Sequence, residues 1–359
     1  IPNPGTRSRY RRNTINMNLA NRKTIIIVAA LLVLIGIIGA TILLRVDGAS
    51  DTEITVSEVT TDQIRRVEGI QAIDDLKDLV YSPSRGVFYV SSFDENAVYV
   101  VNATSAAIEG KVEISEAHKI FFVDSRNELY ITAASDQLYQ VDPNTLQVLR
   151  KVTVGLKPSQ MVTDALESFL FVVNEASNSV SVIDLDTFSV VKEIEVGSRP
   201  ADIVLDRHGE FIYVANNYSS TLTIISADSL SPVGEIQDIG RPREMFAFPD
   251  KDLILVLDEA GAVMVLDQRT GKVERRIETV AYPVDLDLDL ERGRLYVVSF
   301  TTNTLGIIDL DQEQMIEAVR LGSSFTHTQG LNQIALTANG ETAVLTNTNT
   351  GQIFFLDVR

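Results

Sequence analysis

The stretch NNYSSTLTIISADSLSPVGEIQDIGRP, from Asn216 to Pro242, nearly repeats a stretch written 42 residues earlier, NEASNSVSVIDLDTFSVVKEIEVGSRP. A chain that repeats itself at fixed spacing folds into stacked copies of one unit, so this period constrains the architecture more than any single motif. The turn proline recurs at Pro158, Pro200, Pro242 and Pro283, spaced 42, 42 and 41. A second marker, an apolar strand ending in Asn, Asp or Ser, recurs at Asn102, Asp142, Asp184, Ser226, Asp267, Asp309 and Asp357, spaced 40, 42, 42, 41, 42 and 48. The chain therefore carries seven copies.

Four strands are legible within one copy: PADIVLD, FIYVANN, TLTIISAD and SPVGEIQD, in residues 200–238. Each is short, rich in β-branched or aromatic residues, and bounded by Gly, Asp, Asn or Ser. No amphipathic helical pattern interrupts them, which excludes a parallel α/β sheet. A four-stranded unit of about 40–45 residues is the signature of a propeller blade. The expected fold is all-β: a seven-bladed β-propeller of four-stranded antiparallel blades over residues 52–359. The last copy ends at IFFLDVR without a fourth strand. TEITVSEV, Thr52–Val59, is expected to supply it, closing the ring and removing two open edges.

GSRPADIVLDRHGEFIYVANNYSSTLTII resembles the YVTN-type β-propeller repeat family, with its G-x-x-P turn and YVxN strand. YVAN (213–216) and FVVN (171–174) fit best, and LYVVSF and FYVSSF are looser copies. The resemblance covers roughly residues 65–359. It implies a surface or periplasmic location and mostly binding roles, while relatives by fold include lactonase-like and lyase-like enzymes. The Trp-Asp pair of WD repeats is absent, since the chain has no Trp.

TIIIVAALLVLIGIIGATILL, residues 24–44, is uncharged, and as a helix its 21 residues reach roughly 30 Å, the thickness of a bilayer core. A cleaved signal peptide is the alternative, but its apolar run is usually about 7–15 residues with a small-x-small site after it. The segment is therefore read as one transmembrane helix, between a basic cytoplasmic tail (1–23) and a short linker (45–51). Arg7, Arg9, Arg11, Arg12, Arg22 and Lys23 precede it, whereas Asp47, Asp51 and Glu53 follow. This asymmetry places the amino terminus in the cytoplasm and the propeller on the periplasmic or extracellular side. Beyond residue 46 the chain has 24 basic against 49 acidic residues. So acidic a body repels phosphate backbones and excludes nucleic acid as a partner. With no Cys there is no disulfide, zinc–thiolate site, cysteine nucleophile or lipoprotein attachment.

In a propeller, the outer-to-inner connections and the second-to-third-strand loops share one face, at the mouth of the central channel. Aligning the inner strands gives one column of Asp78, Lys119, Gln160, Asp202, Glu244, Asp285 and Gln333. A second column, just before the prolines, holds Lys157, Arg199, Arg241 and Tyr282. Adjacent acidic and basic rings could neutralise each other around a wet channel, or hold a cation, an anion or ordered water. In DLDLDLE, alternation puts Asp285, Asp287 and Asp289 on one face about 6.5–7 Å apart, too far for one ion, so channel lining or blade-to-blade pairing is expected. His118 and His327 fall in outer-to-inner connections facing the mouth, and His208 in a turn on the opposite face. His327 lies in SSFTHTQG, an insertion that lengthens the last spacing. Asn217 and Asn102 begin glycosylation sequons, and Asn217, in a loop, is the better acceptor. No cofactor is expected: haem or copper would need more His, Met or Cys ligands than the chain offers.

The reading is a single-pass, membrane-anchored, extracytoplasmic propeller that acts without catalysis as a protein-binding scaffold or accessory subunit. Its expected partners are the bilayer, through residues 24–44, and a protein in or at the membrane. One alternative is a lactonase- or lyase-like enzyme with its pocket at the channel mouth and His118, His327 and Glu244 as acid–base groups. Another is an S-layer or adhesin-like surface protein.

Overall fold

The computed structural model describes residues 73–321 and 330–358, together with the backbone of two short strands, Thr55–Val59 and Ile64–Arg66. It shows the seven-bladed propeller. Six antiparallel blades span residues 76–113, 117–153, 158–195, 200–236, 242–278 and 283–321, and the seventh occupies 331–357. In blade four the strands run Pro200–Leu205, Phe211–Asn216, Thr221–Ser226 and Ser231–Ile236, each within two residues of the bounds read from sequence.

The second and third strands lie between neighbouring blades and are buried on both faces, so they read as continuous apolar runs rather than alternating ones. Outer strands such as Gln147–Thr153 are largely exposed. The core is divided into seven clusters, each between two successive blades. In one, Phe171, Val173 and Ile194 of blade three meet Ile203, Ile212 and Val214 of blade four. Ring closure is seen in the cluster where Ala335, Val344 and Phe355 of blade seven pack on Leu79, Phe88 and Val90 of blade one. At about 1.5–3 kcal/mol for each fully buried large side chain, these seams hold the disc together.

The closing strand is not the expected one. Thr55–Val59 pairs in parallel with the outer strand of blade six, Gln314–Leu321, with Val59 opposite Leu321. The last blade is completed instead by Ile64–Arg66, antiparallel to Gln352–Asp357, with Ile64 opposite Leu356. Two open edges are thus covered in succession, which removes two templates for pairing with another chain. Among the described residues no helix is long and apolar enough to cross a membrane, and the predicted span 24–44 lies outside them.

The repeat motif has a physical basis in the turn that starts each inner strand. The proline lacks an N–H and sits at the first strand position, where none is needed. A Cβ on Gly197 would lie 2.6 Å from the side chain of Asn216, the asparagine of YVAN, and Gly155 stands in the same relation to Asn174. That asparagine is buried and donates to Thr221 and Thr223 Oγ1 at 3.1 and 2.9 Å. The glycine of the turn and the asparagine of the strand are therefore required together, because one fills the space the other leaves.

Candidate functional site

A register shift follows the first residue of every inner strand, as between Pro200 and Asp202. Such a bulge re-aims the next side chain. Here it turns aspartates of the inner column toward the neighbouring blade. Asp78 accepts from Ile120 N–H at 2.8 Å, Asp202 from Met245 N–H at 2.6 Å and Asp285 from Ile334 N–H at 2.7 Å. Asp287 does the same to Leu336 N–H at 2.6 Å, while Asp289 binds the Arg292 guanidinium at 2.7 Å. DLDLDLE is thus a blade-to-blade staple ending in a turn. Asp78, Asp202, Asp285 and Asp289 are buried in the wall, and burial raises the pKa of Asp202 and Asp285 well above the usual carboxylate range.

The other members of that column face the channel. Lys119 Nζ lies 2.9 Å from Asp78 Oδ1 and 3.3 Å from Gln333 Oε1. Burial alone would lower its pKa, but Asp78, Glu244 and Asp285 outweigh burial and raise it, so Lys119 stays charged. Gln160 donates to Glu244 at 3.2 Å. Burial pushes Glu244 up to about 7, against the pull of Lys119.

Above this floor lies the rim. Lys157, Arg199 and Tyr282, each just before a turn proline, take φ near +50°. The left-handed backbone is tied down by the next loop: Glu175 and Asn217 N–H donate to the Lys157 and Arg199 carbonyls at 3.0 Å. Two cation clusters result, each built on one carboxylate. Glu175 binds Lys157 at 2.5 Å and Arg199 at 2.6 Å. Burial would raise its pKa, but the two cations win and hold it below the usual range. Glu259 binds Arg241 at 3.3 Å and Arg243 at 3.5 Å. Tyr218 stands between the clusters, with the Arg199 and Arg241 guanidinium carbons 4.7 and 5.5 Å from its ring centroid.

Floor and rim enclose a cavity of about 330 Å³. Of the residues singled out from sequence, His118, Lys119, Lys157, Gln160, Arg199, Asn217, Arg241, Glu244 and Gln333 line it. Asp78, Asp202 and Asp285 are buried in the wall, each accepting a backbone N–H of the next blade, and Asp78 also pairs with Lys119. The basic column does not pair with the acidic column, as adjacent rings would; it pairs with Glu175 and Glu259. His118 is not in a connection but on the inner strand of blade two, Ala117–Val123, with Nδ1 3.0 Å from the Pro158 carbonyl. Burial lowers its pKa and keeps the ring neutral. His327 lies outside the described residues. His208 is on the opposite face, 3.0 Å from Asp252.

Asn217 departs from the expected exposed acceptor. It is 5% exposed, and its amide donates to the Pro242 carbonyl and to Glu259, both at 3.1 Å, leaving no accessible nitrogen for a glycan. Asn102 closes a turn, accepting from Thr104 and Ser105 N–H and donating to Glu109. Among the described residues no group of three or more His, Asp or Glu side chains is placed to hold a metal ion.

Sequence reading passed over Glu175, Tyr218, Glu259, Arg243 and Ser159. Glu175, Asn217 and Glu259 form a column of their own, one residue past the end of the second strand and 42 apart. That spacing was the available signal.

The fold is similar to a solved chain of Kuenenia stuttgartiensis hydrazine synthase, with a TM-score of 0.69 and 17% sequence identity over 81% of this chain and 99% of that one. At this identity the likeness extends to the propeller fold alone. No protein-family profile matches the sequence, and no curated protein does.

Proposed function

We propose that this chain is a non-catalytic binding module of YVTN-type repeats, tethered by residues 24–44 and carrying its propeller outside the cytoplasm, where the loop face engages a protein in or at the membrane. The observation that carries the reading is the uneven charge of that face. Over blades one and two its loops present Asp74, Asp75, Asp94, Glu95 and Glu116. Over blades three to five they present Lys157, Arg199 and Arg241, all exposed, over the half-buried Glu175 and Glu259, with Asp238 as the one exposed acid beside them. Blades six and seven add Thr301, Thr302, Thr348 and Thr350, without charge. A face divided in this way fixes one orientation of a complementary partner and rejects others, which is what electrostatic complementarity contributes to recognition. Of the buried ionisable groups below it, Asp78, Asp202 and Asp285 staple neighbouring blades together.

The test is gentle detergent extraction of the full chain from its own membranes, followed by native size analysis. A stoichiometric complex that dissociates in R199E/R241E while the disc stays folded supports the reading. A lone monomer, or a complex indifferent to the substitution, overturns it. The enzyme reading keeps one specific support: Glu244, pushed up to about 7 in a cavity, is poised for proton transfer at neutral pH. It predicts a pH-dependent turnover that E244Q abolishes.

A further inference from the structure

We infer that the cavity at the channel mouth is a binding site for a small organic dianion of the dicarboxylate class, held between the Glu175 and Glu259 cation clusters across Tyr218. The inference rests on the loop face being a binding surface and adds the chemistry of what its centre takes.

Charge is the first argument. Each cluster sets two cations against one carboxylate, so the rim holds two more cations than carboxylates, an excess that Glu244 on the floor offsets only in part, in a chain with a formal charge of −18. His118 adds none, because burial keeps it neutral. Geometry is the second. Both guanidinium carbons lie over one Tyr218 ring, at 4.7 and 5.5 Å from its centroid, so they stand no more than about 10 Å apart. One short molecule with an anionic group at each end can reach both clusters; a monoanion can reach one. Guanidinium forks suit planar carboxylates in particular, since two parallel N–H donors meet two oxygens.

Size is the third argument. A cavity of about 330 Å³ is at the lower end for small-molecule sites and too small for a folded partner.

Isothermal titration of the full chain in mild detergent, at low ionic strength, tests this with succinate, glutarate and adipate against butyrate and inorganic phosphate. At least one dicarboxylate should bind ten-fold or more tightly than butyrate and phosphate, and should weaken as salt is raised. R199Q/R241Q should reduce its affinity at least ten-fold. K157Q removes one cation from the exposed rim and should reduce it several-fold, which keeps the test decisive if the double variant does not fold. Absence of dicarboxylate binding, equal binding of butyrate, or binding unchanged in K157Q and R199Q/R241Q overturns the inference. A partner complex that persists without dicarboxylate binding removes the ligand but not the scaffold. Dicarboxylate binding by a lone monomer does the reverse.

Discussion

Lys119 is the cation at the floor of the channel, and K119M is the most informative single change. Its side chain is 13% exposed, its ammonium is 2.9 Å from Asp78, and its charge acts on Asp202, Glu244 and Asp285 as well. Methionine fills the same space without charge. Removing one partner of a buried pair costs about 3–5 kcal/mol, because the remaining charge is left without compensation. Unfolding entropy near 2.1 cal/mol/K per residue over roughly 290 residues gives about 0.6 kcal/mol/K, so Tm should fall by about 5–8 °C. The loss should depend on pH. Asp202, Glu244 and Asp285 titrate above their ordinary range in the folded protein, and Lys119 moderates that rise. Without it they hold protons to higher pH, and each must be ionised at greater cost above neutrality. K119M should therefore lose more stability at pH 8 than at pH 5, read by urea unfolding at both. A cost below about 1 kcal/mol, or an equal cost at the two pH values, would refute a buried charge network centred on Lys119.

Three further outcomes are expected. In the wild type, Glu244 at about 7, Asp287 at about 6 and the raised Asp202 and Asp285 bind protons that the unfolded chain releases near pH 4–4.5, and these four outweigh the opposite contribution of neutral His118, so stability should fall as pH rises from about 4.5 to 7.5, measured by urea midpoints across that range. D202A leaves the Met245 N–H buried without its acceptor and should cost about 1–3 kcal/mol, whereas D202N retains an acceptor oxygen and should cost less; equal losses would show that the staple is not a hydrogen bond. G197A drives a methyl group to 2.6 Å from Asn216 and should cost about 1–3 kcal/mol, with G197A/N216A losing less than the two single costs added together, as a double-mutant cycle would show.

The sequence by itself determined the blade. Strand positions, turn prolines and the inner column all follow from a period of about 42, because each copy makes the same local bonds. The structure reproduces Pro200–Leu205 and its three partners within two residues of the sequence bounds. Tertiary structure decided what lies between copies. Which edge Thr55–Val59 covers depends on a pairing with residues 317–321, far along the chain, and no local pattern in TVSEV selects blade six over blade seven. Asn217 reads as an exposed loop residue until blade five brings Glu259 and the Pro242 carbonyl against it. Lys157 and Arg199 read as one basic ring until Glu175 rises between them. Side chains 42 residues apart become neighbours only when the seams close, and the register of those seams is set by the packing of whole blades rather than by spacing in the sequence.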